Sequence, residues 1–250
     1  MMPYWIIEDD KIEDIVDKNN DFGSFENGGE ELLLKRALEG KKNPVVFDIG
    51  CNEGFYIDAV LANTSDSDIH AFEPLSKCFK VLKAMYPDSI SLNNYAVSNY
   101  VGEATINFAP YDDSGLSSIK KEVFDPHSSP KGRVELSGKE IVKTITLEKY
   151  INDNGIKHID FMKIDVEGSE VDVIKGLGSF RDIDYIQFEY SSTYRGVATL
   201  KDMFDLLSPD FIIAKVLPIY ISVCKYDERL ENYKHCNYVA INKRLCSTIS

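Results

Sequence analysis

The 250-residue chain has no CxxC pair, no run near the roughly 20 apolar residues of a membrane span, and far fewer bases than acids. Each shortage removes a class of function. Its five cysteines (Cys51, Cys78, Cys224, Cys236, Cys246) are odd in number and scattered, which argues against a disulfide framework and a zinc ribbon and suits a reducing cytoplasm. The opening MMPYWIIEDDKIEDIVDK meets acids after seven residues, so it reads neither as a secretion signal nor as a span. With 28 Lys and Arg against 41 Asp and Glu, the formal charge of -13 disfavours nucleic acid as a partner and leaves neutral or cationic ligands. No internal repeat or linker divides the chain, and 44% hydrophobic content can fill one large α/β core.

Residues 1–43 read as an acidic, Asn- and Gly-rich lead followed by GEELLLKRALEG, whose leucines recur at helical spacing, together a helical cover over the main domain of 44–250. From Pro44, apolar runs alternate with helical patterns: VVFDIG, FYIDAVLAN, DIHAFEP, LSKCFKVLKAMYP. Strand, helix, strand, helix implies parallel pairing through right-handed crossovers. SISLNNYAV predicts a third strand and EATINFA a fourth, while 109–140 crowds Pro, Gly, Ser and charge and reads as a lid-like insertion. IVKTITL, HIDFMKID, DIDYIQFEY and FIIAKVL continue the strand pattern; YISVCKY and CNYVAIN, close together at the end, predict an antiparallel edge. The expected architecture is a mostly parallel, twisted sheet of about seven strands with helices on both faces.

VVFDIGCNEG ends an apolar strand on an acid and two glycines. In open α/β sheets ligands sit at the carboxyl ends of strands, where the strand order reverses. Gly50 allows the turn and close backbone approach, and Gly54 can open the next helix. The spacing is DxGxxxG where a dinucleotide site wants GxGxxG, and Glu53 stands where a pyrophosphate would meet the helix. Asp48 repels phosphate but suits ammonium or sulfonium. Glu73 follows Gly50 by 23 residues, at the end of AFEP, where an acid can accept from both ribose hydroxyls. A ribose-bearing, phosphate-free cation fits both acids, and S-adenosylmethionine is such a ligand. A nicotinamide-dependent oxidoreductase is the rival enzyme reading; a non-catalytic cofactor-binding module is the rival of another class.

VVFDIGCNEGFY, IHAFEP, LNNYAVS, GLSSI, VKTITLEKYI and, most specifically, IDFMKIDVEGSEVDVIKGLG resemble FkbM-type methyltransferases of the class I, Rossmann-like superfamily, over roughly residues 26–190. The resemblance implies an S-adenosylmethionine-dependent O-methyltransferase. It assigns Asp48, Gly50, Asn52 and Gly54, with Cys51 and Phe55 beside them, to the methionine and ribose side, Glu73 with Pro74 to the ribose, and Asn94 with Ala96 to the adenine. The chain departs at Cys51, where family members commonly have Ala, and at Glu148, where they have Asp; neither change removes a needed charge.

Asp165, Glu167 and Glu170 crowd KIDVEGSE, with Lys163 on the same strand face as Asp165. Glu170 reads as a helix-start acid meeting the dipole. Asp165, ending a buried strand beside the cofactor, is expected both to border it and to take a proton from an attacking hydroxyl, and Glu189 occupies the equivalent place on the next strand. A magnesium site is the alternative use of these acids, but sequence spacing fixes no octahedral geometry and no metal ligand is assigned. His127, in the insertion, is the remaining catalytic candidate, although a surface histidine is the plainer description; His70 and His158 read as structural. Tyr111, Asp112 and Asp113 are acceptor contacts by loop location only. The expected acceptor is a hydroxyl on a sugar, glycan or small metabolite.

Overall fold

Residues 6–8, 15–16, 25, 28–86, 90–109, 117–124 and 138–247 are described by a computed structural model. In chain order they form β1 (Ile6–Glu8), α1 (Glu30–Leu38), β2 (Val45–Ile49), α2 (Phe55–Asn63), β3 (Asp68–Phe72), α3 (Ser76–Met85), β4 (Ser91–Asn93), β5 (Ala96–Val97), β6 (Gly102–Phe108) and β7 (Ser117–Ser118). There follow β8 (Gly138–Ile145), α4 (Leu147–Asn154), β9 (Ile159–Ile164), α5 (Glu170–Lys175), β10 (Ile183–Tyr190), α6 (Leu200–Leu207), β11 (Phe211–Val216), β12 (Ile221–Val223), β13 (Cys236–Asn242) and α7 (Lys243–Ser247).

The helices stop and start where side chains satisfy their end groups. Thr146 accepts from the Lys149 amide at 3.2 Å to begin α4, and Thr199 and Asp202 reciprocate at the start of α6. Nine strands make the main sheet in the order β1-β12-β11-β13-β10-β9-β2-β3-β4. β10, β9, β2, β3 and β4 run parallel, and the order reverses about β2, which has β9 on one side and β3 on the other. Helices cover both faces, so strands such as β13 are buried along their whole length and show no alternation. Phe47, Met162, Ile186 and Phe188 pack under α4, α5 and α6; Val46, Phe161 and Val239 pack under α1 and α2.

Four expectations change. The main sheet has nine strands, not about seven. The two closing strands do not pair with each other: β12 and β13 flank β11, both antiparallel to it, and β13 is wedged between β11 and β10 inside the sheet. Residues 1–43 are not purely a helical cover, because β1 adds a parallel strand beside β12. SISLNNYAV splits after Asn93, and β5 joins β8, β6 and β7 in a separate four-stranded sheet. Part of the 109–140 insertion therefore has regular structure, with β7 and the start of β8 belonging to that sheet.

At the reversal point Gly50 adopts φ +84, and a Cβ there would lie 1.9 Å from the Asp165 carbonyl oxygen. Gly50→Ala is expected to cost at least about 2 kcal/mol through the backbone conformation and this clash. Urea unfolding of the variant checks it; an unchanged midpoint would show that β2 and β9 need no such approach.

Candidate active site

The same close approach opens a cavity of about 240 Å³ at the carboxyl ends of β2, β3 and β9. Gly50, Asn52, Glu73, Pro74, Ala96 and Asp165 all line it, as do Tyr95, Val97, Ile106, Ser117, Ser118 and Glu167. The second sheet thus supplies one wall, and β7, from within the insertion, closes against the turn after β9 through Ser118 Oγ, which donates to the Glu167 carbonyl at 2.7 Å.

Glu73 is fixed from both sides. One carboxylate oxygen accepts from the Asn52 amide at 3.0 Å, the other from the Leu75 amide at 2.8 Å, and each keeps a lone pair for a further donor. Burial outweighs these bonds and raises its pKa to about 7. Asn94 lies behind it: its amide nitrogen donates to the carbonyls of Glu73 and Pro74, both at 2.9 Å, bracing the strand end without lining the cavity.

Asp48 is fully buried, and neither carboxyl oxygen has a hydrogen-bond partner among the described residues. Burial raises its pKa to about 6, against the attraction of Lys163. It heads a polar row across three strands, since Asp48 pairs in register with Lys163 and Lys163 with Gln187. Above that row lie Gly50, Asp165 and Glu189 with its register partner Asn237. Lys163 Nζ bonds Asp165 at 2.9 Å and stands 5.2 Å from the Tyr56 ring centroid. Tyr56 donates to Gln187 at 3.0 Å, and Gln187 in turn donates to Glu30 of α1. Sequence patterning shows nothing of this part for Glu30, because no periodicity reports where a helix start will dock.

The remaining candidates separate. Cys51 is buried, its thiol pKa pushed far up by burial and by Asp48 and Glu73. Gly54 opens α2, but its absent side chain would meet Leu82 and Tyr86, not the cavity. Phe55 is 64% exposed, with its ring edge-on to Phe25, and does not line the cavity. The helix start turns that side chain outward while Tyr56, the next residue, points in. His127, Tyr111, Asp112 and Asp113 lie outside the described residues.

Asp165 keeps 31% of its side chain exposed and lies beside Glu189, one step past the Phe188–Ile164 register pair. Glu170 turns back to accept from the amides of Val166 and Gly168, at 3.1 and 3.3 Å, which is the structural use expected of it; burial raises its pKa to about 8. Glu167 is pushed up by burial and by Glu189 and Asp165. Sequence reading passes over His235, whose Nε2 lies 3.5 Å from Glu189. The signal lies in the antiparallel pairing of β10 with β13, which sets residue 235 just past the end of β10.

At the opposite end of the sheet, ligand atoms of His158, Asp160 and Asp184 lie within 4.8 Å of one another. Lys41 bonds Asp160 at 2.6 Å and also Asp184, and Arg244 bonds Asp182 and Asp184, so those carboxylates already have cations. His70 is likewise structural, hydrogen-bonded to Tyr150 at 2.8 Å beneath Phe47.

The raised acids make a prediction for the ligand-free protein. Asp48, Glu73 and Glu170 bind protons more tightly folded than unfolded, so their contribution is complete below about pH 4 and lost as pH rises through 6 to 8. His235, raised to about 9, acts in the same sense above its unfolded value; His70, lowered, acts oppositely but only toward acid pH. Each group lends a slope of up to about 1.4 kcal/mol per pH unit while it titrates. Tm is therefore expected to fall between pH 6.5 and 8.5, and a calorimetric scan showing it rise would contradict these assignments.

Residues 48–215 match the family model described as the methyltransferase FkbM domain. Among curated proteins, the chain is 29% identical over 194 residues to the 2-O-methyltransferase NoeI of Sinorhizobium fredii, covering 73% of this chain and 78% of that one. It is 24% identical to the hexuronic acid methyltransferase AglP of Haloferax volcanii, covering 72% and 68%, and 28% identical to the 31-O-demethyl-FK506 methyltransferase FkbM of Streptomyces tacrolimicus, covering 59% and 65%. With the strand reversal, the glycine turn and the two buried acids already in place, the match over most of the chain decides the matter: this is a member of the FkbM methyltransferase family, using S-adenosylmethionine.

Proposed function

We propose that the protein methylates a hydroxyl group of a sugar, glycan or other small metabolite. The observation that carries the reading is the pair of buried acids at the ends of β2 and β3: Glu73 lines the cavity with Asp165, and Asp48 lies behind the lining residues Ile49 and Gly50. The unpartnered Asp48 carboxyl and the spare lone pairs of Glu73 match a ligand with a cationic end and a ribose, and oppose a pyrophosphate. That disfavours the nicotinamide reading. Glu73 would hold the ribose hydroxyls, Asn52 and Gly50 would border the methionine side, and Ala96 with Tyr95 would border the adenine. When bound, S-adenosylmethionine supplies an electrophilic methyl group on a sulfonium.

The residues of the chain then have three tasks. The turn at Gly50 and the wall made by Val97, Ile106 and Ile119 exclude water from the cavity. Asp165, at its edge, can accept the proton of an acceptor hydroxyl, and Glu189 stands next to it. Positioning supplies much of the remaining acceleration. Asp165 in the cavity lining, with Glu189 beside it on the next strand, supports an enzyme over a non-catalytic module, and the three relatives support a sugar or metabolite acceptor. The acidic total of -13 disfavours nucleic acid, and the five unpaired thiols support a reducing, cytoplasmic setting. Among the described residues no helix is long and apolar enough to cross a membrane.

Isothermal calorimetry with S-adenosylmethionine and with its demethylated product tests the reading. Glu73→Ala is expected to weaken cofactor binding by about tenfold or more, the loss of charge-assisted hydrogen bonds; unchanged affinity removes Glu73 from the ribose. Because Asp48 and Glu73 must both ionise to receive the ligand, binding should be about a hundredfold weaker at pH 5.5 than at pH 8 and should release protons, read from the heat in buffers of different ionisation enthalpy. Tritiated methyl transfer into a lysate of the source organism identifies the acceptor, and failure to label any hydroxyl would sink the acceptor assignment.

A further inference from the structure

Two carboxyls in contact normally share one proton, because both cannot stay ionised side by side without compensation. Asp165 and Glu189 lie side by side, one step past the Phe188–Ile164 register pair of β10 and β9, and each has a cation on its far side: Lys163 on Asp165 at 2.9 Å, His235 on Glu189 at 3.5 Å. The array runs cation, carboxylate, carboxylate, cation. Lys163 is committed, since it also faces Asp48 and Glu30. His235 has no other bonded partner among the described residues and keeps half of its side chain in solvent.

The backbone before it is constrained to put it there. Tyr233 sits at φ +56, a conformation that costs a bulky residue of order 1–3 kcal/mol and persists only when surroundings impose it. Here the Tyr233 amide donates to the Tyr190 hydroxyl at 3.3 Å, its ring stacks on Tyr190, and the Arg195 guanidinium lies 4.7 Å from that ring. Tyr190 ends β10, one residue after Glu189. The strained turn and the carboxylate it serves are therefore tied to the same strand end.

We propose that His235 is a positioning residue for the transfer reaction, seated on Glu189 so that Asp165 is left free to take the acceptor's proton. The proposal rests on the methyl-transfer reading. In the step it serves, the acceptor O–H proton passes to the Asp165 carboxylate, and the oxygen electron pair forms the new O–C bond. The pair of the broken C–S bond stays on sulfur as a neutral thioether. Without His235, whose proximity helps hold Asp165 below its ordinary value, Asp165 takes up a proton more readily and the base is occupied before the acceptor arrives.

The groups facing this array agree in sign. Glu189, Asp165 and Glu30 face His235 and raise its pKa to about 9, so it is charged at neutral pH. Glu167 and Glu170, which face Glu189 from the turn after β9, are driven up toward the neutral form by burial and like charge.

Two measurements decide it. Ring-proton NMR of the 250-residue chain, which has four histidines, should show one titrating near 9, and Glu189→Gln should bring that value down by at least one unit toward 6.5. A value unmoved by Glu189→Gln overturns the pairing without reference to any substrate. The second is the pH profile of tritiated methyl transfer into the acceptor fraction of the source lysate. His235→Gln should move the acidic limb up by about one unit and cut the rate at pH 7 about tenfold, while His235→Lys, which restores a cation, should recover most of it. Equal losses in both variants with an unshifted acidic limb would show that His235 only supports the fold. S-adenosylmethionine binding heat, taken on the same samples, separates a failure of the methyl-transfer reading from a failure of this one.

Discussion

β2 and β9 approach each other so closely at their carboxyl ends that only a hydrogen atom fits between the Gly50 α-carbon and the Asp165 carbonyl. Much follows from that contact. The Gly50 and Cys51 amides bond the Phe72 carbonyl of β3 at 3.0 and 3.1 Å, and the Asp165 amide bonds the Ile49 carbonyl at 2.9 Å. Three strand ends are thereby locked in one register, and side chains two residues apart along each fall into rows across the sheet. A slip of one residue would send Asp48, Lys163 and Gln187 to the opposite face, into the apolar cluster under α4 and α5. The register that closes the backbone also aims the site.

Burial then sets the chemistry of those rows. Desolvation is the largest influence on Asp48, Glu73 and Glu170, and it pushes each toward the neutral form. Asp165 starts from the same penalty but is carried below its ordinary value by Lys163 and by the proximity of His235. Lys163 remains charged against its own desolvation because Asp165, Asp48 and Glu30 surround it. The site therefore holds carboxyls of two kinds within a few residues. One kind is raised toward neutrality by burial; the other is lowered by adjacent cations and ready to accept a proton. A cofactor with a cationic end needs the first, and a hydroxyl acceptor needs the second.

The sequence makes the first kind legible and hides most of the second. DxGxxxG and AFEP place Asp48, Gly50 and Glu73 because a parallel strand, a glycine turn and an acid at the next strand end are local patterns with fixed consequences. The parallel half of the sheet is legible for the same reason. His235 depends on β13 entering antiparallel beside β10, and nothing local distinguishes that from β13 pairing with β12, the arrangement the short spacing suggests. Phe55 is assigned to the cofactor as part of a motif, yet one helical step decides whether it or Tyr56 points inward. The second sheet escapes because SISLNNYAV looks like one strand; the break at Asn94 is visible only once that amide is seen bridging the Glu73 and Pro74 carbonyls.

These gaps have a common physical origin, and it bears on how the family can vary its acceptors. The cofactor side is assembled from residues close in sequence on consecutive parallel strands, so its geometry is set by short crossovers. In the proposed reading the acceptor side draws on α1 through Glu30, β9 and β10 through Asp165 and Glu189, and the turn before β13 through His235, segments more than 200 residues apart at their extremes. No shared local motif ties those three together. A change in the α1 docking angle or the length of the turn before β13 moves acceptor contacts without disturbing β2, Gly50 or Glu73. Acceptor choice can therefore change at the expense of one carboxylate–cation pair, while the strand ends that receive the methyl donor keep their register.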